Sequence, residues 1–320
     1  MCSSDLLRKQ LAAQSGYLLP PLKVSDNLNL NSREYRILLR GAEIARFELL
    51  AGHVLAIPGA HAQPLREAKP TLDPAFGQPA SWVPSALADE SRTRGYTVVD
   101  ATSVIGAHLA EIIKKYSCEM FSRQDAKNYC DRVAQENPKV VEDLVPKLLS
   151  LAAVQRVLQN LLKERVPIRD STLILEALSE AAATTRNQVL LTEFVRQSIR
   201  RVLVEPHLLP GRELRVAVLE PETEEAVEKS VHHHDQTSVS SMPPHQVRGL
   251  VDEARRKTGN GDACSVLLTT TGARYFVRQV LESYLPGITV LSHAELPSEV
   301  KILVVGRENA GSLVASGVGV

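Results

Sequence analysis

The stretch VLQNLLKERVPIRD, residues 157–170, decides how the middle of this chain is read. Val157, Leu158, Leu161 and Leu162 recur at helical spacing and continue an apolar stripe begun by Leu151 and Val154. Pro167 cannot extend that helix, because its ring removes an amide donor and clashes with the preceding turn. Asp170 then offers a carboxylate suited to cap a new helix. The passage is a packing helix followed by a corner. It holds no residue pattern that asks for chemistry, which points toward binding or assembly.

Working outward, the chain has 320 residues, enough for several compact units. Hydrophobic residues make up 44% and charged residues 23%, a globular composition. Lys+Arg and Asp+Glu are both 37, and this neutrality argues against a dedicated nucleic-acid binder. Cys2, Cys118, Cys130 and Cys264 form no C-x-x-C pair, so neither a zinc knuckle nor a thioredoxin-like motif is present. Cys118 and Cys130 lie roughly 18 Å apart if one helix joins them, too far for a disulfide. No long uninterrupted apolar run suggests a membrane span. The first residues, MCSSDLLRKQLAAQSGY, lack the apolar centre of a signal peptide and read as the end of a helix with Leu6, Leu7 and Leu11 on one stripe.

Residues 20–57 read as strands, with EYRILLRG and AEIARFELL forming a hairpin around Gly41 and HVLAIPG following. Pro58, Pro64, Pro70, Pro74, Pro79 and Pro84 come next, a density that predicts neither long helices nor central strands. Phe76 and Trp82 among these prolines suggest a small packed insert or a docking surface. GYTVVDA reads as a returning strand. Helices are expected from Thr102 to Glu205, with Ile105, Leu109, Ile112 and Tyr116 on one face, a Ser122/Asp125 capping box and a start at Asn137–Pro138. A last helix carries Leu191, Phe194, Val195, Ile199 and Val202. After Pro210–Gly211, strands at LRVAVL, CSVLLTT, ITVLS and VKILVVG alternate with helices near 221–231, 245–257 and 272–284, an α/β pattern. HHHDQTSVSSMPPH (232–245) reads as a mobile loop and AGSLVASGVGV as a frayed tail.

Candidate chemistry is sparse. His232, His233 and His234 are adjacent and lack a further ligand at metal spacing. His108 and Glu111 lack the second histidine of a zincin helix, which leaves His108 as a helix-surface or interface residue. TGNGDACS (258–265) places glycines before a strand, the reverse of a phosphate loop, and reads as a turn. Glu142 and Asp143 read as solvent-facing, and no sheltered carboxylate pair is evident. Arg165, Arg169, Arg196, Arg200 and Arg201 could form a basic helical face, the basis of a rival reading as a nucleic-acid-binding regulator. An unrecognised α/β enzyme is a third reading.

Several blocks in order resemble the cytoplasmic region of the export-gate family of type III secretion (FlhA/SctV, FHIPEP). They are LNLNSREYRILLRG (28–41), DPAFG-x-PA-x-W (73–82), GYTVVDA-x-SV (95–104), the His108–Leu109 pair, LVPKLLSL (144–151) and VLQNLLKERVPIRD. The DPAFG and GYTVV wording resembles the flagellar branch more than the injectisome branch. The resemblance implies an α+β multidomain fold. A first α/β subdomain (1–55 and 97–121) is split around a small proline-rich subdomain (56–96). An all-helical subdomain (122–206), a C-terminal ferredoxin-like or ring-building α/β subdomain (207–310) and a tail (311–320) follow.

The resemblance further implies a scaffold without catalytic, cofactor or metal residues. It would form a homo-oligomeric ring, generally of nine subunits, at the cytoplasmic face of the bacterial inner membrane. Its partners would be export chaperone–substrate complexes, the export ATPase complex and other gate proteins, with no nucleic acid. The family's chaperone dock maps onto Asp73 and Phe76, pictured as an aromatic in a hydrophobic dimple with an acid at its rim, and onto Ala107, where the family usually has threonine. Ring contacts would involve the helix through Gln159, Lys163 and Arg165. The chain also resembles a truncated member that meets the membrane only through a missing N-terminal segment.

Overall fold

The computed structural model describes residues 3–259 and 264–305, with side chains described from Arg8 onward. Cys2, the side chains of Leu6 and Leu7, residues 260–263 of the TGNGDACS turn and the tail from residue 306 lie outside the described residues. The chain divides into two compact units, residues 1–120 and 121–320.

The first unit opens with α1 (Ser3–Ser15), whose Leu11 is buried. Residues 18–33 form no strand, contrary to expectation. Pro20 and Pro21 remove donors there, and Leu18, Val24 and Leu28 stay exposed instead of alternating inward. Strands β1 (Glu34–Leu39) and β2 (Ala42–Glu48) form the expected hairpin. Arg40 and Gly41 turn it with φ of 50° and 85°, the paired positive values whose twist matches the flanking strands.

Strands β3 (His53–Pro58), β4 (Lys69–Leu72), β5 (Pro79–Pro84) and, after the short α2 (Ala88–Thr93), β6 (Tyr96–Val99) build an antiparallel sheet in the order β4-β5-β3-β6. The proline-rich segment therefore does supply a central strand, β5. Its prolines sit at the two ends, leaving Ala80, Trp82 and Val83 to be buried. Asp100 caps α3 (Ala101–Lys115) by accepting from the Ser103 amide at 2.9 Å, and α4 (Ser117–Met120) closes the unit. Helix α3 buries Val104, His108 and Ile113, a face rotated from the one expected. Val104 meets Leu55, Ala80 and Trp82 in the core, with Phe47, Leu49, Leu50, Ile57 and Val99 around them.

The second unit begins all-helical, with α5 (Arg123–Glu136), α6 (Pro138–Glu142), α7 (Leu151–Lys163), α8 (Ser171–Ala182), α9 (Gln188–Ser198) and α10 (Arg200–Val204). The Ser122/Asp125 capping box and the Pro138 start are both present. The expected last helix is two helices broken at Ile199. Helix α7 buries Val154, Val157, Leu158, Leu161 and Leu162, as its spacing predicts. Its end is a Schellman motif: the Val166 amide donates to Leu161 O at 2.9 Å and the Arg165 amide to Leu162 O at 3.0 Å. Arg165 takes the left-handed conformation, φ 60°, usually given to glycine. Asp170 caps α8 through the Leu173 amide, as expected.

The α/β part follows with β7 (Leu208–Leu209), β8 (Glu213–Val218), α11 (Pro221–Lys229), β9 (Val231–His233), β10 (Ser238–Ser240), α12 (Pro244–Thr258), β11 (Val266–Thr269), α13 (Thr271–Leu281), β12 (Thr289–Ser292) and β13 (Lys301–Val304). Strands β12-β11-β8-β13 pair in parallel, while β7 joins β8 antiparallel. Parallel pairing fits the near-continuous burial of VLLT in β11. It also differs from the antiparallel sheet of a ferredoxin-like unit. The segment expected as a mobile loop carries the β9–β10 hairpin, held by Asn187 Nδ2, which donates to His234 O and Ser238 Oγ.

Candidate docking site

Asp73 and Phe76 share the turn from β4 to β5. Asp73 is buried at 4% exposure, and its carboxylate accepts from the Ala75 amide at 3.2 Å and the Phe76 amide at 3.3 Å. Its own amide donates to Gln78 O at 2.9 Å, and its carbonyl accepts from the Gly77 amide at 2.8 Å. Gly77 takes φ 67°, which lets the turn close. The aspartate therefore organises the loop from inside and does not line a rim. Phe76, 62% exposed, is displayed at the loop's surface and does not fill a dimple. Leu72, at the end of β4, is 59% exposed beside it in sequence.

Ala107 is half-buried on α3, next to the buried His108. The expectation of a surface histidine fails because α3 turns that face inward. Tyr35 Oη and His108 Nδ1 are 2.7 Å apart, and Tyr35, Phe47 and Trp82 form an edge-and-tilt aromatic chain with the imidazole. Burial lowers the His108 pKa, only partly offset by the Asp73 charge. Burial, reinforced by Asp73, raises the Tyr35 hydroxyl far above its usual range. Both effects place the Asp73 carboxylate within electrostatic reach of this polar pair.

The three residues expected at a ring contact have different settings. Gln159 Nε2 donates to Phe121 O at 2.9 Å, and Lys163 Nζ lies 2.8 Å from Glu282. Arg165 is exposed. The basic face expected for the rival reading is incomplete, because Arg196 is buried. Its Nη1 lies 3.1 Å from Glu164, and its Nε bonds Glu295. Arg274 sits beside it, fully buried, clasping Glu164 and Glu193. Sequence reading missed this sheltered set because its members come from α7, α9, α13 and the turn at 293–295. Among the described residues, no group of three or more His, Cys, Asp or Glu could hold a metal ion. No helix among them is long and apolar enough to cross a membrane.

Residues 3–301 match the family model described as "FHIPEP family". The chain belongs to the FHIPEP family. Within it, the chain is 34% identical over 305 residues to flagellar biosynthesis protein FlhA of Bacillus subtilis, covering 94% of this chain and 45% of that protein. It is 37% identical over 298 residues to FlhA of Salmonella typhimurium, covering 91% and 42%. The chain thus spans less than half the length of these FHIPEP relatives. Among solved structures, the Chlamydia pneumoniae CdsV and CdsO complex matches with a TM-score of 0.84 at 26% identity, covering 95% of this chain and 89% of that one. The nonameric SctV-C of EPEC shares the fold, with a TM-score of 0.78 at 20% identity, covering 94% and 91%.

Proposed function

We propose that this chain is the cytoplasmic docking and ring-forming part of a type III protein export gate, and that it works as a scaffold without catalysis. FHIPEP membership over nearly the whole chain carries the reading. Identities of 34% and 37% to flagellar biosynthesis proteins FlhA favour the flagellar branch over the injectisome branch. The nonameric state of SctV-C supports a ring of this chain's kind. In the whole protein the chain would face the cytoplasm beneath a membrane channel.

The dock would use Phe76 as an exposed aromatic anchor on a loop shaped by Asp73, and Ala107 on α3 in place of a hydroxyl-bearing residue. A presented aromatic is the kind of side chain that dominates binding energy at interfaces. Ring contacts would run through the α7 end around Gln159, Lys163 and Arg165. The export ATPase complex and other gate proteins would be further partners.

Titrating purified chain with export chaperone–substrate complexes tests the dock. Phe76→Ala should weaken binding about tenfold or more, with the circular dichroism of the free chain unchanged. Undiminished affinity of Phe76→Ala for every cognate complex would remove Phe76 from the dock.

A further inference from the structure

The buried face of α3 ties the docking loop to one imidazole. His108 stands four residues after Val104, so the two share that face. Val104 packs with Ala80 and Trp82 of β5, the strand that leaves the Asp73–Phe76 turn. The turn hangs from this strand, since the Asp73 amide donates to Gln78 O two residues before Ala80. A second route runs through rings. The centroid of the His108 ring is 6.4 Å from that of Phe47, which is 6.2 Å from that of Trp82.

The hydrogen bonding of His108 depends on its proton count. In the neutral ring, Nδ1 can accept from the Tyr35 hydroxyl across 2.7 Å. The imidazolium carries protons on both nitrogens, so Nδ1 then donates and the Tyr35 oxygen accepts. The hydroxyl proton of Tyr35 must turn to another acceptor. The charged groups around it narrow the choice. Glu111, also on α3, pairs with Lys114 at 2.8 Å. Glu34, Arg36 and Arg46 alternate away from the Tyr35–Phe47 cross-strand pair and, with Glu43, bind one another. Glu48 and Lys69 are exposed. Asp73 is left. Its charge is felt by both Tyr35 and His108. Its Oδ1 takes the Ala75 amide and its Oδ2 the Phe76 amide, so each oxygen can accept once more.

We infer that His108 is a proton-operated latch on the docking loop: a proton taken up by its ring turns the Tyr35 hydroxyl toward Asp73 and loosens the hold of that carboxylate on the Ala75 and Phe76 amides. Asp73 stays ionised, so one proton is taken up in all. Acid thereby changes how Phe76 is presented. The consequence for docking rests on the dock proposed above, whereas the coupling of imidazole to loop does not.

The test is NMR of the full chain between about pH 8 and about pH 5, following the His108 ring and the amides of Ala75, Phe76 and Gly77. The ring should titrate below its ordinary 6.5, and the three amides should move with the same midpoint. The Ser85 amide, held by Gly52 O past the other end of β5, should stay in place. Asp73→Asn should lower the His108 midpoint by at least about 0.3 pH unit, roughly a twofold change in proton affinity. Tyr35→Phe should leave the ring titrating but at least roughly halve the loop shifts. Loop amides that stay still through the His108 titration overturn the inference. So does a ring that stays neutral down to about pH 5, an unchanged midpoint in Asp73→Asn, or undiminished loop shifts in Tyr35→Phe. If Tyr35→Phe does not fold, the wild-type titration and Asp73→Asn decide. A loop that titrates with His108 while Phe76→Ala keeps full affinity for chaperone–substrate complexes sinks the dock and leaves the latch standing.

Discussion

Arg274 and Glu164 stand 110 residues apart and meet as a bidentate ion pair, with Nη1 2.6 Å from Oε2 and Nη2 3.0 Å from Oε1. Arg274 is fully buried and Glu164 only 11% exposed in its side chain. Glu164 caps the C-terminal end of α7, and Arg274 lies on α13, so the pair fastens the helical part of the second unit to its α/β part. Glu193 and Arg196 on α9, with Glu295 beyond β12, complete the cluster. Such a cluster is costly to desolvate and costly to break, so its members act as a set.

Removing one partner should therefore hurt more than its hydrogen bonds suggest. Arg274→Met leaves Glu164 and Glu193 buried without their main counter-charge. We expect a loss of about 3–5 kcal/mol in urea unfolding. A loss below about 1 kcal/mol would mean that water already reaches these carboxylates.

Acid should act on the same cluster. Burial raises the Glu164 pKa, but the Arg274 and Arg196 guanidinium groups outweigh it and hold the carboxyl at about 2, below its ordinary 4.5. A depressed folded pKa adds stability that is fully present above pH 4.5 and is lost as pH falls toward 2. The contribution is on the order of 3 kcal/mol. Denaturant melts between about pH 6 and about pH 2 should show this loss in the wild type. Glu164→Gln should flatten that acid slope, and an unchanged slope in the variant would assign it to other carboxylates.

The Tyr35–His108 pair predicts a second, milder pH effect. Burial disfavours the imidazolium, so His108 stabilises the fold at pH above its ordinary 6.5 and contributes less as pH drops below it. Tyr35→Phe strips the imidazole of its 2.7 Å partner and should cost about 1–2 kcal/mol. Thermal melts at pH 8 and pH 5.5 check both statements. A larger melting temperature at pH 5.5 would contradict the sign.

In the docking loop the two expected residues should separate cleanly. Asp73→Ala removes the acceptor of two loop amides and should cost about 1–2 kcal/mol. Phe76→Ala truncates a side chain that is 62% exposed and should change stability by no more than about 0.5 kcal/mol. Equal losses in the two variants would show that Phe76 packs more than its exposure implies.

Much of this fold was legible because it rests on local rules. The Ser122/Asp125 box, the Asp170 cap, the Pro138 start and the α7 stripe each depend on residues within a turn or two of one another. The strands around Gly41 and the alternation after Gly211 were equally local. Errors arose where distant partners decide the outcome. Pro79 and Pro84 flank a strand that β3 and β4 cover on either side. His108 turned out buried because α3 packs on a sheet built mostly by earlier strands.

The docking loop divides in the same way. DPAFG marked the turn, since Asp73, Pro74 and Gly77 carry turn chemistry in their own geometry. Which of its side chains faces outward depends on how the turn closes over Asp73, and that follows from the β4–β5 pairing.

VLQNLLKERVPIRD itself set the helix, its stop and the next cap, because periodicity, proline and capping act over a few residues. The meaning of its charged residues was not local. Glu164 became an ion-pair hub, Lys163 found Glu282, and Arg165 came to border a cavity, only once α9, α13 and the 286–295 segment had folded against them. Hydrophobic spacing is written along a helix, whereas a buried charge gets its partner from wherever the fold brings the opposite sign.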